Sequence, residues 1–162
     1  MFIDTTALRE QVVDDALASA FGSTGQRCSA LRILFVPREI ADEMLETLAG
    51  ALAALVIGDP ADPATDIGPV IDGDAHAALD GHLARLEREA RIVARLMPGP
   101  ELARGSFFGP VIAEIPTPDL LEREVFGPIL HVYRYAPGEL EEVGRRLGAR
   151  GYGRKTVVRS RF

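Results

Sequence analysis

Short, almost wholly apolar runs alternate along this chain with longer segments whose apolar residues recur every three or four positions. The first pattern suits strands covered on both faces, and the second suits helices lying against them. Asp4-Thr5-Thr6 offers caps for a helix with Leu8, Val12, Val13, Ala16, Leu17 and Ala20 on one face, and Gly22 to Gly25 ends it. Leu31 to Val36 reads as a buried strand. Pro37 closes it and opens a second helix carrying Ala41, Met44, Leu45, Leu48, Leu52 and Leu55 at helical spacing. Beyond a loop rich in proline and aspartate, Gly58 to Gly68, the run Asp72-Gly73-Asp74 precedes a third helix lined by Leu79, Leu83, Leu86 and Ala90. Ile92 to Met97, Val111 to Ile115 and Ile129 to Tyr135 read as strands, Glu139 to Leu147 as a short helix, and Thr156 to Arg161 as a last strand. The expected class is α/β: three layers, with a mostly parallel sheet flanked by helices.

At 162 residues the chain fits one domain with a substantial core, and 47% hydrophobic content argues against general disorder. The net charge of −6 argues against a nucleic-acid partner, which needs clustered cations. No apolar run approaches the roughly 20 residues that span a bilayer, and the first residues lack a basic-then-apolar signal pattern. The expectation is a soluble cytoplasmic protein with no membrane segment.

The single cysteine, Cys28, sits in Phe21-Gly22-Ser23-Thr24-Gly25-Gln26-Arg27-Cys28-Ser29-Ala30. A lone thiol forms no intramolecular disulfide and has no second thiol with which to share zinc. It is either a packing residue or a nucleophile. Its small, turn-forming neighbours and the adjacent Arg27 describe an exposed, constrained turn, whereas an inert core cysteine stands among branched apolar residues. Other signals fall away. Asp59, Asp62, Asp66, Asp72 and Asp74 do not keep a cation-loop spacing, and Pro60, Pro63 and Pro69 interrupt them, so no metal site is expected. His76 and His82, six apart on a helix, face different ways, and His131 reads as an ordinary strand residue. No glycine-rich phosphate cradle is present.

Gly25-Gln26-Arg27-Cys28-Ser29-Ala30-Leu31-Arg32 resembles the nucleophile segment of the aldehyde dehydrogenase superfamily, in wording most similar to the branch that oxidises L-glutamate γ-semialdehyde. That branch includes the dehydrogenase half of bifunctional proline-catabolic flavoenzymes. Leu121-Glu122-Arg123-Glu124-Val125-Phe126-Gly127-Pro128 resembles the superfamily's E-x-F-G-P motif. Between them, Ile57-Gly58-Asp59-Pro60, Ile67-Gly68-Pro69-Val70-Ile71 and Phe108-Gly109-Pro110 resemble connecting parts of the catalytic domain, in the same order. The resemblance assigns residues 1–153 to an incomplete catalytic domain of that family. It leaves 154–162 as a divergent basic tail.

The resemblance implies covalent chemistry. Cys28 would be the catalytic nucleophile, with its backbone N–H helping to stabilise the oxyanion. Arg27 would brace the turn and bias the thiolate. Ser29 would bind the substrate carboxylate, Glu124 the nicotinamide ribose of NAD, and Phe126 would lie near the nicotinamide. A small aldehyde is the implied substrate. The chain contains no asparagine to complete the family's oxyanion hole, and its one lysine, Lys155, is at the wrong end for cofactor binding. The cofactor half of the family fold would lie upstream of Met1, so the isolated chain is expected to bind no cofactor and not to turn over. Two alternatives stay open: an interaction module that self-associates through an exposed apolar face, and a different thiol enzyme pairing Cys28 with a histidine.

Overall fold

The structure, a computed structural model, describes residues 1–149 and 156–160. Residues 150–155, which include Arg154 and Lys155 of the basic tail, and the terminal Arg161 and Phe162 lie outside the described residues. The elements follow in the order β1 (Phe2–Ile3), α1 (Arg9–Phe21), β2 (Ile33–Pro37), α2 (Ala41–Ala53), α3 (Gly73–Glu89), β3 (Arg91–Arg95), β4 (Val111–Glu114), β5 (Ile129–Tyr135), α4 (Leu140–Ala149) and β6 (Val158–Arg159). The strands form one six-stranded sheet in the order β3-β4-β5-β2-β1-β6. Every pairing is parallel except β3 with β4.

Strand alternation sorts the core into two halves. Leu34, Val36, Ile112, Leu130 and Val132 point to one face and bury α1 through Val12, Val13 and Ala16, and α2 through Met44, Leu45, Leu48 and Leu52. Val111, Ala113 and Ile129 point to the other and meet Leu79, Leu83 and Leu86 of α3. Phe35 and Tyr135 continue that second face, packing on Phe2 and on Val143 of α4. The protein is therefore three-layered, helices on both faces of a mostly parallel sheet.

Local readings hold best where both faces are covered: β5 spans Ile129 to Tyr135 as expected. The last strand is shorter than expected, at Val158–Arg159. Two further details differ from expectation. β1 had no sequence signal, because two residues have no period. It exists by pairing Phe2 with Phe35. α1 is not capped by Asp4-Thr5-Thr6. The Asp4 carboxylate instead accepts from Thr6 N–H at 2.7 Å and Thr6 Oγ1 at 2.6 Å, closing a turn upstream, and the helix begins behind a half-exposed Leu8. The third helix is capped as read, Asp72 Oδ1 accepting from Ala75 N–H at 2.8 Å.

Candidate active site

α1 ends at Phe21, and the chain then makes a tight left-handed turn, with φ of +54° at Ser23, +53° at Thr24 and +63° at Gly25. Left-handed backbone costs an L-residue roughly 1–2 kcal/mol, so the Ser23-Thr24 pair needs contacts that hold the turn in place. Thr24 is buried and donates from Oγ1 to Gly68 O at 3.2 Å. Gln26 Oε1 accepts from Ile71 N–H at 2.8 Å. The Arg27 side chain folds back over Gly22, its Nη2 2.9 Å from where a Cβ would stand.

Arg27 O then accepts from Ala30 N–H at 3.0 Å, a reverse turn whose two corners are Cys28 and Ser29. Both corners are exposed. The Cys28 N–H and the Ser29 hydroxyl donate to no protein acceptor among the described residues. Leu31 N–H returns to Ser19 O of α1 at 3.1 Å, and β2 follows.

A second turn, Glu124-Val125-Phe126-Gly127-Pro128, leads into β5 directly beside the first. Gly127 N–H donates to Gly25 O at 3.2 Å. The two backbones approach so closely that a Cβ on Gly25 would lie 2.1 Å from Gly127 O. Only glycine fits there.

Arg32, just before β2, joins the two turns. Its Nη1 donates to Gly25 O at 2.7 Å and to Gly127 O at 3.3 Å, and its Nη2 to Arg27 O at 3.0 Å. Its Nε reaches Glu124 Oε1 at 3.4 Å, and its guanidinium carbon stands 4.9 Å from the centre of the Phe126 ring. Burial pushes the guanidinium down from its ordinary value while the Glu124 carboxylate opposes that shift. Glu124 keeps about a third of its side chain exposed, and Phe126 remains 47% exposed. One arginine thus gathers the Cys28-Ser29 corner, Glu124 and Phe126.

Sequence reasoning passed over Arg32. The available signal was a cation between Leu31 and the apolar run Ile33-Leu34 with no carboxylate within six positions on either side. Such a side chain needs distant partners. His131 lies in a strand as expected, but its pairing carried no sequence signal: it is fully buried on the α3 face of β5. Its Nδ1 lies 2.8 Å from Arg32 O, which also accepts from His131 N–H at 3.0 Å. Since that oxygen only accepts, Nδ1 carries the hydrogen, and Nε2 accepts from His82 Nε2 at 2.9 Å. Burial above all lowers His131, to about 3, and lowers His82 too, with help from Arg85 and Arg123. The third imidazole, His76, lies against Phe107 O and Asp80. No imidazole bonds to Cys28 among the described residues.

The fold is a six-stranded, mostly parallel sheet between two helical layers, with the Cys28 turn bonded to the Glu124–Pro128 turn, and comparison with known proteins shows the family to which it belongs. A sequence model of the aldehyde dehydrogenase family matches residues 1–161, and the chain belongs to that family. It is 42% identical over 167 residues, covering 100% of this chain, to the bifunctional protein PutA of Klebsiella aerogenes. It is 34% identical over 79% of this chain to the 1-pyrroline-5-carboxylate dehydrogenase of Geobacillus kaustophilus. The chain spans only 13% of the former's length and 25% of the latter's. A crystal structure of bifunctional proline utilization A superposes over 99% of this chain and 16% of its own, with a TM-score of 0.93 and 53% identity. A methylmalonate-semialdehyde dehydrogenase from Sinorhizobium meliloti, described as putative and complexed with NAD, superposes with a TM-score of 0.90 at 26% identity over 100% of this chain and 34% of its own. No helix among the described residues is long and apolar enough to cross a membrane.

Proposed function

We propose that this chain carries the nucleophile and part of the cofactor contacts of a cytoplasmic, NAD-dependent dehydrogenase oxidising L-glutamate γ-semialdehyde to L-glutamate in proline catabolism. Cys28 is the catalytic residue: its thiolate adds to the aldehyde carbon, forming a C–S bond and an oxyanion that the Cys28 N–H receives. NAD, when bound, accepts the hydride released from that carbon. Water then displaces the thiolate from the resulting thioester, giving the acid. Ser29, on the neighbouring corner, binds the substrate's α-carboxylate. By the resemblance to the family, Glu124 and Phe126 are the residues that would hold NAD, and a partly exposed carboxylate with an open aromatic face is compatible with a ribose diol next to a flat ring. Residues 1–153 form an incomplete catalytic domain in this reading, and 154–162 a divergent basic tail.

The observation that carries the reading is the exposed thiol at the corner of a turn whose carbonyl is held by Arg32, the same arginine that meets Glu124 and Phe126 from some ninety residues away. With no asparagine to complete the oxyanion hole, the 162 residues alone are expected to reduce no NAD above a Cys28→Ala control. They should nonetheless be alkylated stoichiometrically at Cys28 by iodoacetamide. Millimolar L-glutamate γ-semialdehyde should protect Cys28 from that reagent, an aldehyde without the α-carboxylate should protect it at least tenfold less well, and Ser29→Ala should erase the difference. Equal protection by both aldehydes in the unmutated chain would sink the substrate assignment. A second reading is favoured by Ile71, 82% exposed, and Phe126 beside the same turn: an apolar rim through which the chain self-associates. A monodisperse monomer in light scattering removes it.

A further inference from the structure

Resting on the reading of Cys28 as nucleophile, we infer that Arg32 is the positioning residue that aims the oxyanion-binding N–H of Cys28. The Arg27 carbonyl and the Cys28 N–H belong to one planar trans peptide, so they point in opposite directions and turn together. Whatever holds the carbonyl sets the direction of the N–H. Arg27 O is held from two sides, by Arg32 Nη2 at 3.0 Å and by Ala30 N–H at 3.0 Å. The N–H is thereby turned away from the guanidinium and left without a protein acceptor among the described residues.

The guanidinium can do this because it is itself fixed. Three of its contacts are backbone carbonyls, Gly25, Arg27 and Gly127, which no swing of a neighbouring side chain removes. Its main chain is pinned as firmly: Arg32 O takes both donors of His131, whose other ring nitrogen takes the hydrogen of His82. A planar fork is needed for this geometry. A lysine ammonium carries three donors, but all on one nitrogen at the end of a flexible stem, and does not reproduce the spread of the guanidinium fork across three carbonyls. A donor preorganised toward a developing oxyanion contributes about 10²–10³ in rate, and a misaimed one loses part of that.

Two reactions of the same sulfur separate aiming from mere folding. Iodoacetamide alkylation forms a C–S bond and expels iodide with no oxyanion. Acylation by p-nitrophenyl acetate forms a C–S bond through a tetrahedral oxyanion, breaks the ester C–O bond and releases p-nitrophenolate, the thiol proton going to water. In the 162-residue chain, the burst of p-nitrophenolate and the rate of alkylation are measured for the wild type, Arg32→Met and Arg32→Lys, with thermal melting followed by circular dichroism. Arg32→Met should cut the acylation rate at least tenfold while alkylation changes less than twofold. Arg32→Lys should fall between. Should Arg32→Met fail to fold, Arg32→Lys alone is decisive, with an acylation-to-alkylation ratio at least threefold below wild type expected. A ratio within twofold of wild type in every folded variant overturns the inference and leaves the reading of Cys28 standing. A burst that survives Cys28→Ala, or is absent from the wild type, removes the reading and the inference together.

Discussion

The Cys28 turn and the aspartate-rich loop that follows α2 are both polar, exposed and glycine- or proline-bearing, yet they keep their shapes by opposite means. In the loop, Asp59 accepts from Ala61 N–H, Asp62 from Ala64 N–H and Asp66 from Val56 N–H, each at 2.8–2.9 Å. All these partners lie within ten residues, so the loop is folded largely by its own side chains. The Cys28 turn is held by Ser19 behind it, Gly68 and Ile71 from the end of that loop, Gly127 from across the sheet, and Arg32. Ordering a turn through distant contacts costs more chain entropy than local closure. A turn so arranged, with left-handed non-glycine residues, has its geometry dictated by the whole domain. That is the condition under which a reactive side chain can be aimed, and the aspartate loop does not meet it.

The sharpest way to break this contrast is Gly25→Ala. The new Cβ would be strained at φ +63° and would stand 2.1 Å from Gly127 O, so the two turns must part. Left-handed strain and forced displacement of packed backbone together are expected to cost about 3 kcal/mol or more. Urea denaturation measures it. A loss under about 1 kcal/mol would mean that the turns are not locked to each other as the distances imply.

The footing of Arg32 gives the next largest effect. Folded His131 titrates at about 3 against an ordinary 6.5, chiefly because it is buried, with His82 and Arg32 as the charged neighbours that lower it further. Arg85 and Arg123 act likewise on His82. The unfolded chain therefore binds a proton that the folded chain refuses between these values. The stability associated with neutral His131 is present above about pH 6.5 and lost as pH falls, at about 1.4 kcal/mol per unit. Between pH 7 and pH 5 this one residue should remove about 2 kcal/mol, visible as a difference in slope between wild type and His131→Gln. Identical slopes would show that the imidazole is not held neutral.

How much could be read beforehand follows the same division between local and distant causes. β5 was legible to the residue because its period is written in its own side chains, and the Asp72 cap because donor and acceptor are three positions apart. Cys28 stood out by being single and by its small neighbours. Arg32 and the His82–His131 pair did not, since, apart from the carbonyls of Gly25 and Arg27, their partners lie between 49 and 99 residues away and act only once β2, β5 and α3 are assembled. A histidine inside Ile129-Leu130-His131-Val132 nevertheless carried a warning: a strand covered on both faces leaves an imidazole no solvent, so it must find a buried partner. The start of α1 failed for the converse reason. Asp4 was a credible cap, but a nearer local competitor, Thr6, took its carboxylate.

The mildest effect belongs to the loop, and it tests the comparison from its other side. Asp62→Ala deletes an acceptor that serves, among the described residues, only Ala64 N–H, two residues on, at an exposed position where water replaces it. The expected cost is about 0.5–1 kcal/mol. The alkylation rate at Cys28 should stay within twofold of wild type, because no bond that shapes the Cys28 turn passes through Asp62. If the rate moved severalfold while the melting temperature barely changed, the loop would be coupled to the turn through Gly68 and Ile71. The division between a self-closed loop and a domain-held turn would then have to be redrawn to include both as one unit.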